Sequence, residues 1–459
     1  MKYYLAIDIG ASSGRHILGW LSGDKLMTEE IYRFQNSPKR TDEGLIWDTE
    51  YLYREILNGL KKAREINKIP VSVGIDTWGV DYALLNEDKQ RIGEVFCYRD
   101  SRNERSAPSV HKIIPFSELY EKTGIQYSSF NTVYQLFSDK ESGKLKDAKY
   151  FLMLPDYFNF RLTGVISQEY TNATTTGMVN AKTHTWDTDI IKRLGYDESL
   201  FGALSMPGEA IGKFSDEVKK LLGYDATVIH PATHDTASAV LGAPLLKDSP
   251  YISSGTWSLL GVEEKHAHPE EVAREENYSN EGSINFTFRL QKNIMGLWMI
   301  QQVRHEANDK YSFAELADMA SASNADYRID VNDERFLSPS NMTEEIASAV
   351  GAPLDIKDTA FVIYDNLARS YAEAMAALEK ITGKKYSTLN IIGGGSQNGF
   401  LNKLTAKYTK RKIITGPSEC TALGNLIMQM VGNGDISDID AGRKIIKNSF
   451  DIKEITEEI

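Results

Sequence analysis

Cysteine is almost absent: Cys97 and Cys420 are the only two in 459 residues, and they stand far apart. That excludes a disulfide framework and a CxxC metal knuckle, and each thiol reads as a small buried apolar residue rather than a nucleophile. Long apolar runs are missing as well. Nothing approaches the roughly eighteen residues of a membrane span, and MKYYLAIDIGASSG has too short an apolar run and too early an acid for a signal peptide. A cytoplasmic chain with no membrane partner is expected. Positive charge is in deficit, with 52 Lys and Arg against 64 Asp and Glu and a formal net charge of −12, which argues against a nucleic-acid partner. A polyanionic ligand would need metal and backbone donors instead. There is no Gly-Lys-Ser or Gly-Lys-Thr at Walker A spacing, and no GxGxxG of a dinucleotide site.

What is present is an ordinary globular composition, 41% hydrophobic and 25% charged. A chain of this length buries about three-quarters of its unfolded surface, which normally means two domains. The richest chemistry lies at the middle, in Val228 to Leu260. There a short apolar run ends at Pro231, and His234, Asp235 and Thr236 precede Ala237 to Leu241, which can run on as a helix. An imidazole, a carboxylate and a hydroxyl thus stand at a strand-to-helix switch, where side chains can face a cleft. Further on, Tyr251-Ile252 breaks into Ser253-Ser254-Gly255-Thr256-Trp257, whose small residues let backbone N–H groups approach a phosphate. Together they point to phosphoryl transfer. Taken alone, the stretch fits equally well a helix cap at Asp235 and a hairpin turn at Gly255.

The same pattern of a strand running into an acid and small residues occurs earlier. Tyr3 to Ile9 reads as a buried strand, and Asp8 with Gly10-Ala11-Ser12-Ser13-Gly14-Arg15 reads as a tight turn into a second strand. Its amides can hold phosphate oxygens while Asp8 faces a hydrated Mg²⁺, although an Asp at a hairpin is also ordinary turn chemistry. Asp48 is placed to cap a helix through Ile66. Val71 to Leu85 then repeats strand, acid, glycine and return strand, with Trp78-Gly79 at the tip.

Ser167 to Met178 is small and polar and reads as a lining loop, and Asn293 to Gln302 reads as the start of a helix with Asn293 at its cap. An Asn293 amide bonding ligand hydroxyls is the sharper alternative, with Gln301 two turns along the same side. A long helix, Ala360 to Ile381, ends at Gly383, and the strand Leu389 to Ile392 enters Gly393-Gly394-Gly395, which permits close passage of a flat ring or phosphate. Lys412 to Thr415 and a helix from Glu419 to Met430 repeat the strand-helix unit.

Five ordered motifs, DIGASSGR from Asp8, GIDTWGVDY from Gly74, THDTASA from Thr233, SSGTW from Ser253 and GGGSQN from Gly393, resemble the FGGY family of carbohydrate kinases, of the actin and hexokinase superfold. ASSGR in place of the commoner Thr-x-Ser turn, with IDTWGVDY and KNIMGLW, resembles the branch acting on L-rhamnulose. The resemblance implies an α/β chain of two ribonuclease-H-like domains, 1–244 for sugar and base and 245–459 for nucleotide, with a cleft between them. It implies ATP and Mg²⁺ as cofactors and a small sugar as partner, the oligomeric state being left open.

It further implies Asp235 as general base, and sugar contacts from His234, Thr236, Gly79 and Asn293. Metal falls to Asp8, and nucleotide or phosphate to Ala11, Ser12, Ser13, Gly14, Arg15, Thr256, Gln301, Gly393, Gly394 and Gly395. Ala11 removes one hydroxyl from the phosphate turn, so backbone contacts are expected there. Asp100 and Arg102 fall where related kinases carry an acid and a base near the sugar, and rank below the others. Kinases for xylulose, fuculose or glycerol share the catalytic set, and the superfold also holds ATPases that are not kinases.

Overall fold

The computed structural model describes residues 1–246 and 248–456. The chain forms two compact units, the first from Met1–Pro244, Glu264–Leu290 and Thr421–Ser449, the second from Leu245–Glu263, Gln291–Cys420 and the residues from Phe450 on. The first break falls after Pro244, and two later segments return to the first unit.

The first unit is built on a sheet of β1 (Tyr3–Ile9), β2 (Ser13–Ser22), β3 (Lys25–Gln35), β4 (Pro70–Thr77), β5 (Ala210–Lys213) and β6 (Thr227–Ile229), in the order β5-β6-β4-β1-β2-β3. The central strands β1, β4 and β6 run parallel, and β1 and β4 are buried almost throughout, as their near-continuous apolar runs require. The hairpin partners β2 and β3 are antiparallel, and β3, at the edge, alternates toward solvent. Helix α1 (Thr49–Glu65) starts where expected, because the Asp48 carboxylate accepts from Tyr51 N at 2.8 Å. It buries Leu52, Ile56 and Leu60 as their spacing demands.

Two expectations fail in this unit, each for a buried carboxylate. Tyr82–Leu85 does not return along β4 but pairs antiparallel with Tyr150–Met153. Asp81, just before it, accepts from Trp47 Nε1 at 2.6 Å, Trp78 Nε1 at 2.9 Å and Gln135 Nε2 at 3.0 Å, and these bonds redirect the chain. Ser167 to Met178 is no lining loop. It contains α2 (Tyr170–Thr174), whose residues are all buried, and Glu169 caps that helix by accepting from Thr171 N at 2.8 Å and Asn172 N at 3.1 Å.

The second unit has the order β8-β7-β9-β10-β11 for β7 (Tyr251–Ser254), β8 (Trp257–Glu264), β9 (Thr388–Ile392), β10 (Lys412–Thr415) and β11 (Lys453–Ile455). An antiparallel hairpin, two parallel neighbours and a closing antiparallel strand repeat the plan of the first sheet. The long helix α5 (Ile356–Thr382) stops at Gly383, which takes the left-handed conformation at φ 66°. Asn293 is not a cap: it lies in the strand Phe288–Met295, and the helix begins at Trp298.

Helix α6 is Cys420–Gly432, and from Thr421 it belongs to the first unit rather than repeating the second. Its amides explain the attachment. Asn425 Nδ2 donates to Gly74 O at 3.1 Å, and Gln429 Nε2 to Leu5 O at 3.0 Å, while Gln429 Oε1 accepts from Ser72 Oγ at 2.7 Å. Among the described residues no helix is long and apolar enough to cross a membrane.

Candidate active site

Parallel strands deliver their carboxyl ends to one edge, where open α/β sheets bind ligands. Asp8 on β1 and Asp76 on β4 are register partners. The chain leaving β6 continues alongside, with Thr77 N donating to Thr233 O at 2.9 Å, and reaches α3 (Asp235–Leu241). Three acids, Asp8, Asp76 and Asp235, therefore converge. Asp76 is fully buried, and burial, followed by the charges of Asp8 and Asp235, raises its carboxyl well above the usual range. Asn425 Nδ2 donates to its Oδ2 at 2.5 Å, while the buried Oδ1 has no hydrogen-bond partner.

Asp235 is not the cap of its helix; His234 holds that position and Asp235 is the first helical residue. The Asp235 side chain is 30% exposed, so it is not sealed in hydrocarbon. Its Oδ1 accepts from Thr236 N at 2.6 Å and Thr236 Oγ1 at 3.2 Å, and His234 Nε2 lies 3.4 Å from the same oxygen. Partial burial raises its pKa, against the pull of His234 and the Thr236 donors. The turn is clamped from behind by Glu169, which accepts from Thr233 Oγ1 at 2.6 Å and Thr233 N at 3.2 Å. Asn172 Nδ2 donates to Thr233 O at 3.3 Å and Trp78 O at 3.5 Å, so it joins this turn to the loop carrying Gly79. At Gly79 a Cβ would come 2.9 Å from Thr175 Oγ1, so the close approach needs glycine.

The turn from Ala11 to Arg15 joins β1 to β2, with Gly10 N donating to Ser13 O at 2.9 Å. Asn36 occupies two of its carbonyls, donating from Nδ2 to Gly10 O at 2.9 Å and from N to Ser12 O at 3.0 Å. Oxygens engaged in this way present less negative charge to an incoming phosphate. Arg15 Nε lies 3.4 Å from Asp8 Oδ2. Asp100 Oδ2 accepts from Leu45 N at 2.6 Å, and Arg102 pairs with Asp139 at 2.5 Å over the Phe96 ring.

In the second unit, Thr256 lies in the β7–β8 turn, and its carbonyl accepts from Trp298 N at 3.2 Å, at the start of α4 (Trp298–Glu306), which carries Gln301. Gly393 to Gly395 meet the same hairpin. Gly393 has φ 78°, and a Cβ there would stand 2.9 Å from Ser254 O; one on Gly395 would overlap Ser254 Oγ, while Gly394 faces open space. Thr256, Gln301 and the triple glycine are thus brought together around β7. Asn293 shares this unit, on the strand Phe288–Met295.

The sequence reading noted Asp76 only as the acid ending its strand and gave it no role, and it passed over Asn36, Glu169 and Asn425. The signal for Asp76 was available, since its strand ends in an acid as β1 does; the other three act through partners distant in sequence.

A mixed α/β fold with acids at the carboxyl ends of parallel strands and a glycine-lined turn in each unit is suited to phosphoryl transfer. Residues 3–242 match the model of the N-terminal domain, and residues 250–432 that of the C-terminal domain, of the FGGY family of carbohydrate kinases. A rhamnulokinase from Halalkalibacterium halodurans is 45% identical over 460 residues, covering 99% of this chain and 98% of that protein. One from Bacillus subtilis is 42% identical, covering 99% and 95%. The ligand-bound xylulose kinase from Lactobacillus acidophilus matches at a TM-score of 0.82 and 16% identity, covering 98% of this chain and 93% of that one. The Plasmodium falciparum glycerol kinase with ADP matches at 0.78 and 14%, covering 98% and 94%. At such identities these two likenesses are of fold alone. The chain belongs to the FGGY family of carbohydrate kinases, and is a phosphotransferase with an alcohol group as acceptor.

Proposed function

We propose that the enzyme transfers the terminal phosphoryl group of ATP to the primary hydroxyl of L-rhamnulose in the cytoplasm, giving L-rhamnulose 1-phosphate and ADP. The observation that carries the choice of sugar is the likeness, 38% to 45% identical over nearly the whole chain, to rhamnulokinases. The geometry of Asp235 supports the chemistry. Its Oδ1 is taken by the Thr236 donors, so Oδ2 is the oxygen left to receive the proton of the attacking hydroxyl.

In this reading the first unit, residues 1–244 with the two segments that return to it, serves the sugar and the base, and the second unit, Asn293 excepted, serves the nucleotide. His234 and Thr236 orient base and sugar, and Gly79 and Asn293 bind sugar hydroxyls. The amides of Ala11 to Arg15 hold phosphate oxygens, and Thr256, Gln301, Gly393, Gly394 and Gly395 hold the nucleotide. The residues present fit a hydrated Mg²⁺: Asp76 has a buried oxygen without a partner, and Asp8 stands beside it in register. Asp8, Asp76 and Asp235 stand near one another, but among the described residues no three His, Cys, Asp or Glu side chains are grouped closely enough to hold an ion by themselves. When bound, Mg²⁺ supplies neutralisation of phosphate charge; alignment and the base are the protein's part.

The direct test is coupled ADP release with ATP against L-rhamnulose, xylulose, fuculose and glycerol. A clear preference for L-rhamnulose is expected. Preference for another acceptor would replace the sugar, and hydrolysis indifferent to every sugar would overturn the kinase reading. A second expectation concerns pH. The Asp235 pKa is raised, the ionised form is the base, and activity is therefore present above that pKa and lost as pH falls through it. The acid limb of kcat/KM for the sugar should lie above the ordinary aspartate range, and a limb at or below that range would count against Asp235.

A further inference from the structure

Behind His234 lies a buried ion pair that no motif announced. The Arg289 side chain is fully buried, and its Nη2 stands 3.2 Å from His234 Nδ1 and 3.1 Å from Glu281 Oε2. Glu281 Oε2 is itself 3.1 Å from His234 Nδ1. The Gly282 carbonyl steadies the guanidinium, accepting from Nε at 3.4 Å and from Nη2 at 3.2 Å. On the opposite edge of the imidazole, Nε2 faces Asp235 Oδ1.

A guanidinium only donates and a carboxylate only accepts, so the partner of Nδ1 decides which ring nitrogen carries the proton. Donation from Arg289 needs the lone pair on Nδ1 and leaves the proton on Nε2, aimed at Asp235 Oδ1. Acceptance by Glu281 would put the proton on Nδ1 and turn a lone pair toward the Asp235 carboxylate, with two N–H groups opposed at Arg289. Glu281 is already neutralised by Arg289, which weakens its draw on that proton. A charged pair buried here also costs desolvation that an apolar residue would avoid, so the position calls for a reason beyond packing.

We infer that Arg289, paired with Glu281, is a positioning residue that holds His234 in its Nε2–H tautomer and thereby fixes Asp235 Oδ1, leaving Oδ2 for the sugar hydroxyl. The inference rests on Asp235 being the general base. It predicts, in ¹⁵N-labelled full-length protein, a His234 Nδ1 with the shift of an unprotonated nitrogen and a protonated Nε2, the signals being assigned by their loss in His234→Gln. A proton on Nδ1, with or without one on Nε2, would overturn it.

The double variant Arg289→Met with Glu281→Gln removes both charges together, so no unpaired ion is left buried. It is expected to lower kcat by about 10-fold to 100-fold while KM for ATP stays within about twofold, and to change the His234 tautomer signal. Arg289→Lys keeps the charge without the planar fork, and should show part of the same loss. Should the double variant fail to fold, the wild-type tautomer and Arg289→Lys decide the matter. Normal kcat and an unchanged tautomer in folded variants, with Asp235→Asn inactive, would sink the positioning role alone. Near-normal turnover in Asp235→Asn would instead sink the base assignment.

Discussion

Asp235→Asn is expected to lower kcat by about 100-fold to 10,000-fold, the span of a single positioned general base, with KM for the sugar little changed. The replacement is nearly isosteric. An asparagine oxygen can still accept from Thr236 N and Thr236 Oγ1, which hold Oδ1 now at 2.6 Å and 3.2 Å. What disappears is the second oxygen, replaced by an amide nitrogen with no lone pair to take a proton. The helix loses a negative charge at its first residue, a cost of about 0.3 to 1 kcal/mol. Against that, a carboxylate that raises the pKa of Asp76 is removed. Thermal stability should therefore stay close to wild type, so that lost turnover reports chemistry rather than unfolding. Steady-state kinetics with a melting curve on the same sample checks both points, and near-normal kcat would exclude Asp235 as the base.

Legibility of the chain followed the reach of its interactions. Buried parallel strands announce themselves as apolar runs, and acids at the ends of such runs or in the turns that follow them stand at the carboxyl edge of the sheet, so the placement of Asp8 and Asp235 there could be read from the sequence. Helix ends governed by local chemistry were equally readable: the Asp48 cap and the stop at Gly383 need only neighbouring residues. Asn293 was misplaced because the short apolar run after it fits a strand or a helix, and sheet pairing decides between them. Ser167 to Met178 read as a lining loop because it is small and polar, whereas its hydroxyls and amides are satisfied by Glu169 and by one another, a network that no single segment reveals. Nothing local marks Asn425 and Gln429, two polar residues in an otherwise apolar helix. Their partners, Gly74, Asp76, Leu5 and Ser72, are hundreds of positions away, and with them went the membership of α6 in the first unit.

Gly424→Ala should produce the largest loss of stability of any single methyl group added near the site. A Cβ at Gly424 would lie 1.8 Å from Ser238 O and 2.8 Å from Gly242 N, so α6 meets α3 backbone to backbone. No rotamer can relieve that overlap. Ser238 is also tied down, since its carbonyl accepts from Gly242 N at 2.8 Å and its Oγ donates to Ala232 O at 2.7 Å. Alanine improves helix propensity by up to about 1 kcal/mol, but overpacking against rigid backbone costs typically about 1 to 3 kcal/mol and occasionally more, so the steric term prevails. The expected result is a melting temperature lower by several degrees. Activity should fall in the fraction that remains folded, because α3 opens with Asp235 and α6 carries the Asn425 amide bonded to Asp76. Gly399→Ala is the control: it opens the helix Gly399–Thr409 and a Cβ there meets nothing within 4 Å, so alanine should be neutral or mildly stabilising. If Gly424→Ala melts and turns over like the wild type, the two helices are not in the contact described, and the support given to Asp76 by α6 fails with it.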